Sequence, residues 1–400
     1  MDVGCLNYYA EVLQTVPKAL LLLFCSSTLI GVSVLFYTIL FIVAPTPRPP
    51  TKAEKTYRVI ESDGTISSAK QLPCWQDSWR AEKQAAQEKG DFSNKDVAIE
   101  EPELCMSLVI PAYNEEDRLS SMLSEAVEYL EKEYGTGKAR QVNGNGSITN
   151  GHAKCANGTA NGTANGHASR TVPPASKGWE ILIVSDGSTD KTIETALRFA
   201  RKLGSSASNL IRVVALSKNR GKGGAVVHGM RHIRGRFAVF ADADGASKFE
   251  DLGKLVHACQ EVQDMQGRGL AIGSRAHLVG SEAVIRRSFL RNFLMHSFHL
   301  FLRLLTPPAT AAIRDTQCGF KLFSRQSLPY IIPYMHSEGW IFDVEMLMLA
   351  ELAGIPVAEV PIGWHEVNGS KLNVIWDSLG MAWGLAILRA AWGLGVYRRS

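Results

Sequence analysis

No two cysteines in this chain form a CxxC pair, and the seven present, at 5, 25, 74, 105, 155, 259 and 318, are scattered and odd in number. Neither a zinc site nor a disulfide scaffold is expected, and the usage fits a domain in reducing cytosol. An excess of one charge is also missing. Forty-three basic residues against 39 acidic leave a formal +4 on 400 residues, too balanced to indicate a nucleic-acid partner. The GxxxxGK[ST] spacing of a Walker A loop does not occur. Long apolar runs are scarce, although the chain is 46% hydrophobic and 20% charged, a balance that permits a sizeable core and excludes global disorder. At roughly 150 residues per domain, the length corresponds to about two to three units.

One apolar stretch stands out. Ala19 to Val43 carries no charge, and as a helix it would extend roughly 37 Å, enough for a hydrocarbon core of about 30 Å. A cleaved signal peptide would have a shorter core and a small-x-small site, whereas this run ends at Pro45-Thr46-Pro47. A retained anchor over 19–43 is expected, after a short lumenal N-terminus at 1–18. Asp2, Glu11 and Lys18 precede the span, while Arg48, Lys52, Lys55 and Arg58 follow it with Glu54. That bias places the large domain in the cytosol.

Residues 44–104 are polar and Pro-marked and read as a juxtamembrane linker, with room for short helices. From Cys105 the pattern changes. Apolar runs at Met106–Ile110, Ile181–Val184, Ile211–Leu216 and Phe237–Ala241 alternate with helical patterns at Arg118–Tyr134, Thr189–Leu203 and Gly223–Ile233. Strand–helix alternation with such buried strands predicts an α/β domain built on a mainly parallel sheet, over 105–375. Residues 138–177 interrupt it with six Asn-Gly dipeptides between Asn143 and Gly166. That composition cannot bury a core and predicts a disordered insertion, whose sequons at Asn145, Asn157 and Asn161 stay unmodified in a cytosolic domain.

Two later stretches point to a bilayer. Arg286–Arg303 mixes Arg286, Arg287, Arg291 and Arg303 with Phe289, Leu290, Phe293, Leu294, Phe298 and Phe301. It reads as a helix on a membrane surface, with a core helix carrying a basic edge as the other reading. The tail 376–400, apolar from Leu379 to Tyr397 but broken by Arg389 and carrying Trp383 and Trp392, is expected to lie in the interface, with a second span left open.

Four motifs carry chemistry, each just after a predicted strand, where open α/β sheets bind ligands. Asp242-Ala243-Asp244-Gly245 offers two carboxylates at i and i+2 that can converge on one hard divalent cation, Mg²⁺ or Mn²⁺, although Asp-x-Asp alone can be a mere turn. Lys218-Asn219-Arg220-Gly221-Lys222-Gly223-Gly224 lets backbone approach phosphate at a helix start, with Lys222 as a point charge; a flexible basic loop is the bland alternative. In Ser185-Asp186-Gly187-Ser188, Asp186 can accept a pyrimidine N3–H, and Asp186 or Ser188 can instead cap a helix. Ile110-Pro111-Ala112-Tyr113-Asn114-Glu115 can border a nucleoside.

Together these motifs resemble the family-2 inverting glycosyltransferases with the nucleotide-diphospho-sugar (GT-A) fold. Ile272-Gly273-Ser274-Arg275, Arg314-Asp315-Thr316-Gln317-Cys318-Gly319-Phe320-Lys321, Trp340-Ile341-Phe342-Asp343-Val344-Glu345 and Gly369-Ser370-Lys371-Leu372 narrow the similarity to the glucosyltransferases that act on dolichyl phosphate. The resemblance covers about residues 105–375 apart from the insertion. It implies transfer of glucose from UDP-glucose to dolichyl phosphate with inversion, at the endoplasmic reticulum membrane. It also implies a nucleotide-sugar site of Pro111, Ala112, Tyr113, Glu115, Asp186, Ser188, Asn219, Lys222, Gly223, Asp242, Ala243 and Asp244, with the metal on Asp242 and Asp244. Ser185 stands where the family has a first aspartate. Guanidinium groups grip phosphate bidentately, so Arg275, Arg286, Arg287 and Arg291 are candidates for the acceptor phosphate, with Lys371 closing the site. Asp343 is expected to position groups instead of taking a proton, and Gln317 to line the sugar pocket or contact phosphate.

Expected partners are UDP-glucose, dolichyl phosphate and the lipid bilayer, with no nucleic acid; a homo-oligomer is left open. The rivals are a GDP-mannose-dependent enzyme with the same acceptor and a catalytically silent nucleotide-sugar-binding membrane protein. A processive polysaccharide synthase should carry a Gln-x-x-Arg-Trp motif, which does not occur.

Overall fold

The computed structural model describes residues 17–89, 97–135, 178–204, 209–278, 300–365, 367 and 374–399. The expected insertion at 138–177, the residues Arg286, Arg287 and Arg291, and Lys371 lie outside them. The chain divides into two compact units, one comprising the stretch up to Pro45 with Trp383 onward, the other Thr46–Ala382.

In the first unit, helix α1 (Lys18–Val43) is long and apolar enough to cross a membrane. Leu22, Leu23, Phe24, Phe41 and Ile42 are among its many exposed apolar side chains, an extent of bare surface that suits lipid and not water. Within the same unit Tyr397 Oη donates to the Pro45 carbonyl at 2.6 Å, and the Trp392 and Tyr397 rings meet edge to face.

The second unit opens with a ribbon, β1 (Thr56–Tyr57) and β2 (Lys70–Gln71), followed by helix α2 (Trp75–Glu88). Strand β3 (Leu104–Ala112) and helix α3 (Leu119–Tyr134) begin the alternation, which continues through β4 (Trp179–Ser185), α4 (Thr192–Lys202), β5 (Ile211–Ala215), α5 (Lys222–Met230), β6 (Gly235–Ala241) and α6 (Leu252–Val262). Strands β7 (Leu270–Ser274) and β8 (Phe320–Ser324), helix α7 (Phe342–Leu352) and strand β9 (Val357–Pro361) follow, and helix α8 (Val374–Gly393) crosses the division at Trp383.

Seven strands form one sheet in the order β5-β4-β3-β6-β8-β7-β9. The pairs β5–β4, β4–β3, β3–β6 and β7–β9 are parallel, and β8 runs antiparallel to both of its neighbours. The mainly parallel expectation holds because β3, β4 and β6 are buried on both faces and read as nearly continuous apolar runs. Helix α3 covers one face through Leu119, Met122, Leu123, Ala126, Val127 and Leu130, a helical stripe, and ends at Gly135, whose φ of 63° suits a residue without Cβ. Phe237, Phe240, Phe320, Phe323 and Phe342 are all fully buried, each worth about 1.5–3 kcal/mol of apolar transfer.

Residues 44–104 differ from the expected linker. From Thr46 they belong to the folded unit. Arg58 exchanges backbone hydrogen bonds with Val213 at 2.9 Å, covering the outer edge of β5. Trp75 is buried with its Nε1 donating to the Met230 carbonyl, and Trp79 likewise donates to Val97. Single aromatic anchors and hydrogen bonds hold this segment, so it shows no apolar period to read.

Candidate active site

The strand order places the ends of β5, β4, β3 and β6 side by side on one edge of the sheet, because all four run in the same direction. Each end carries one of the four motifs.

Asp186, directly after β4, is buried. Its carboxylate accepts the backbone N–H of Arg220 at 2.7 Å and of Gly221 at 2.9 Å, so it binds the phosphate-type loop after β5 as tightly as a helix cap would. Burial pushes its pKa up to about 6, against those two N–H bonds and the nearby Arg48. Gly187 permits the approach: its φ is 68° and a Cβ there would lie 2.6 Å from Asn219 N. Ser188 Oγ accepts the Asn114 N–H and the Ser185 hydroxyl, tying the ends of β3 and β4 together. Ser185 is itself buried, and a neutral hydroxyl there avoids the cost of a second buried carboxylate beside Asp186.

Lys222 opens α5, and its Nζ stands 2.6 Å from Asp242 Oδ1 at the end of β6. Burial alone would lower its pKa; the charges of Asp242, Asp343 and Asp244 outweigh that and hold it above the ordinary value. Asp244 accepts the Ala246 N–H at 3.0 Å, and burial followed by the Asp242 charge raises its pKa. Gly319, just before β8, abuts Asp242 so closely that any Cβ would overlap the carboxylate. The antiparallel register, Ala241 opposite Phe320, is what brings that glycine beside the aspartate. Ala243 is buried between the two aspartates.

Asp343 sits in the first turn of α7 and is buried with Lys321, whose Nζ lies 2.5 Å from its Oδ1 and also donates to the Cys318 carbonyl. Burial raises the Asp343 pKa, while Lys321 and then Lys222 oppose that rise. Asp242–Lys222 and Asp343–Lys321 thus form two coupled ion pairs of alternating sign.

Comparison with known proteins fits this geometry. The Glycosyl transferase family 2 model matches residues 171–328. The dolichyl-phosphate beta-glucosyltransferase of Saccharomyces cerevisiae is 38% identical over 92% of this chain and 93% of its own length. That of Drosophila melanogaster is 40% identical over 74% and 78%, respectively.

This chain belongs to the dolichyl-phosphate β-glucosyltransferase family.

It is accordingly a glycosyltransferase. Among solved structures, glucosyl-3-phosphoglycerate synthase of Mycobacterium tuberculosis with uridine diphosphate is 17% identical, covering 72% of this chain and 80% of that one at a TM-score of 0.44.

A dolichyl-phosphate β-glucosyltransferase that used a divalent cation would need hard oxygen donors, and Asp242 and Asp244 fit that need. Burial and then the Asp242 charge raise the Asp244 pKa, a cost that a bound cation would offset. Among the described residues no group of three or more His, Cys, Asp or Glu side chains could hold a metal. Two carboxylates suffice where phosphate oxygens and water complete the shell, as Mg²⁺ commonly arranges.

Other expected residues are placed differently. Arg275 gives its fork to Asp315, Nε to Oδ2 at 2.7 Å and Nη2 to Oδ1 at 2.9 Å, so the bidentate face expected for a phosphate is already engaged. Glu115 accepts from Arg118 through both oxygens at 2.7 Å, which braces the turn after β3. Gln317 Nε2 donates to Met381 Sδ at 2.7 Å. Asn219 Oδ1 accepts the Gly221 N–H at 2.9 Å and so shapes the loop from within. Tyr113 is partly exposed at the end of β3, Pro111 and Ala112 lie within the strand, and Gly223 packs against Phe342 where no Cβ fits.

Sequence reasoning missed Lys321, Glu54 and Glu338 as contributors. Lys321 lies inside a strand of apolar neighbours, a signal that a buried charge awaits a partner. Glu54 exchanges bonds with Thr51 three residues before it, a Thr-x-x-Glu pattern legible in the sequence, but Arg220, the partner of both Glu54 and Glu338, is more than a hundred residues from each.

Proposed function

We propose that this protein transfers glucose from UDP-glucose to dolichyl phosphate with inversion, forming dolichyl β-D-glucosyl phosphate and UDP, as a single-pass protein of the endoplasmic reticulum membrane whose catalytic unit faces the cytosol. The product is a lipid-linked glucose donor for assembly of the N-glycan precursor. The observation that carries this reading is the meeting of Asp186, Lys222, Asp242 and Asp244 along one edge of four adjacent parallel strands. Spread along that edge are an acceptor for a base N–H, a cation for diphosphate and a carboxylate pair for a metal.

Asp186 accepts the uracil N3–H, and Pro111, Ala112 and Tyr113 border the nucleoside. Asp242 and Asp244 hold Mg²⁺ or Mn²⁺, which when bound offsets the negative charge of the diphosphate. Lys222 adds its fixed positive charge on the same side. A phosphate oxygen of the acceptor attacks the anomeric carbon as the bond to UDP breaks. That phosphate is already anionic near neutral pH, so no strong base is required, and the Lys321 pairing of Asp343 supports a positioning role for this carboxylate. Arg286, Arg287, Arg291 and Lys371 are the proposed grip on the acceptor phosphate, and Arg275 orders the neighbouring loop through Asp315. The tail from 376 rests on the bilayer, where the acceptor's chain must remain.

Purified protein given dolichyl phosphate should label the lipid from radioactive UDP-glucose and not from GDP-mannose. EDTA should stop labelling, and Mg²⁺ or Mn²⁺ should restore it. Labelling from GDP-mannose would overturn the donor, and labelling undiminished by EDTA would overturn the metal.

The raised Asp186 pKa adds a pH dependence. Its native value, about 6, lies above the ordinary 3.8, so the native state holds an extra proton between those values. This residue's contribution to stability therefore falls as pH rises through that window, and at neutral pH it is an ionised acceptor held at a cost. Calorimetric affinity for UDP should be steady from pH 8 to 7 and fall about tenfold by pH 5, one proton per site. A flat profile would remove Asp186 from the base site.

A further inference from the structure

The loop between β5 and α5 holds its shape through contacts with the segment that directly follows the anchor. Glu54 is 1% exposed. Its Oε1 accepts the Ser217 N–H at 3.0 Å and the Ser217 hydroxyl at 2.7 Å, while its Oε2 accepts Arg220 Nη2 at 2.7 Å and the Thr51 N–H at 2.8 Å. Burial would raise its pKa, but the Thr51 and Ser217 donors and Arg220 overcome that and lower it to about 2. Glu54 is thus a permanent anion with its acceptor sites occupied.

Arg220 is the other half of the clamp. Its guanidinium donates to the carbonyls of Arg48 and Pro49, to Glu54 and to Glu338. Both of its terminal nitrogens are therefore engaged, so the phosphate-facing cation of the loop is Lys222 and not Arg220. The sequence Thr46-Pro47-Arg48-Pro49-Pro50 suits this role: proline fixes φ, keeps the segment extended at little entropic cost, and offers carbonyls without competing N–H donors. Arg48 closes the far side, with Nε 2.7 Å from Glu338 Oε2 and Nη2 donating to the Asn219 carbonyl. The Glu338 carbonyl accepts the Gly224 N–H at 3.1 Å, and a Cβ on Gly221, whose φ is 84°, would lie 2.5 Å from it.

We propose that Thr46–Glu54 is a strap that positions the nucleotide-binding loop, with Glu54 and Arg220 as its positioning residues. The same Arg220 whose side chain the strap holds presents its backbone N–H to Asp186, and two residues later Lys222 meets Asp242. Loosening the strap displaces both contacts and leaves the acceptor side alone. A catalytic unit cut at Cys105, where the strand–helix alternation begins, would lack this part. The inference rests on the proposed reading of the loop as the nucleotide-sugar site.

The test uses the full chain. Glu54→Gln keeps the shape and removes the charge opposite Arg220. The KM for UDP-glucose and the Kd for UDP should each rise about tenfold, the KM for dolichyl phosphate staying within about twofold. Because both residues serve one clamp, Glu54→Gln with Arg220→Met should cost no more than the worse single change. Arg48→Ala, at an exposed position, should move the same constants in the same direction by about threefold, and it decides the matter if the Glu54 variant does not accumulate. Equal rises in both KM values, or a lowered melting temperature with unchanged kinetics, would overturn the strap. If the wild type uses another nucleotide sugar, the donor assignment falls, and the same comparison made with that donor still tests the strap.

Discussion

Asp242→Asn should lower the rate of glucosyl-lipid formation by about 100-fold or more, the loss typical when a group stabilising transition-state charge is removed. The change keeps the volume that Gly319 makes room for and takes away only the charge. Lys222 Nζ, now 2.6 Å from a carboxylate oxygen, would lose its ion pair, and the proposed cation one of its two protein ligands. Asp244→Asn should have a similar effect. The measurement is initial rate with saturating UDP-glucose, alongside thermal unfolding. Near-normal rates in both variants would dismantle the metal assignment, and a rate loss matched by collapse of the melting temperature would make Asp242 a structural residue.

Lys321→Met should be the most destabilising single change at the site. Lys321 and Asp343 are both almost wholly buried, and the lysine alone pairs with the aspartate's Oδ1 at 2.5 Å among the contacts described. Removing one partner of a buried pair leaves an uncompensated charge and costs about 3–5 kcal/mol. A chain of this size should then melt roughly 5 °C lower. Lys321→Met with Asp343→Leu should recover most of that loss, since an apolar pair of similar volume is tolerated where an orphan charge is not. A single variant that melts within about 2 °C of the wild type would show that this pair is not what neutralises Asp343.

The two effects differ in kind because the two pairs differ in access. Asp242 keeps a side chain 34% exposed and Lys222 16%, while Lys321 and Asp343 have 0% and 4%. A partly open pair can exchange its partner for a ligand, whereas a closed one can only hold the strand β8 and helix α7 together beneath it. Electrostatic coupling between the pairs, evident in the influence of Asp343 on Lys222, makes the closed pair a support for the open one.

Much of this architecture was readable from local pattern. Continuous apolar runs at β3, β4 and β6 announce strands buried on both faces, and the stripe in α3 announces its covered side. The motifs after β3, β4, β5 and β6 share one edge simply because parallel strands end on the same side. Asp186, Lys222, Asp242 and Asp244 could therefore be named before any coordinates.

Other features could not, because their causes are not local. Residues 44–104 looked like a linker since short strands, one helix and isolated Trp75 and Trp79 leave no period to detect. Arg275 looked like a free phosphate grip until Asp315, forty residues on, took its fork. The Arg118 brace on Glu115 is likewise visible only in the folded turn after β3.

By itself, the order of residues determined that this protein has an apolar helix at Lys18–Val43, an alternating α/β unit and four polar turns at strand ends, because helix and strand periodicity and turn chemistry act over a few neighbours. Tertiary structure alone decided which charges are closed off with one another and which stay partly open to solvent. An ion pair such as Glu54 with Arg220 spans 166 residues of chain, and only the folded backbone brings such groups within the few ångströms over which a hydrogen bond acts.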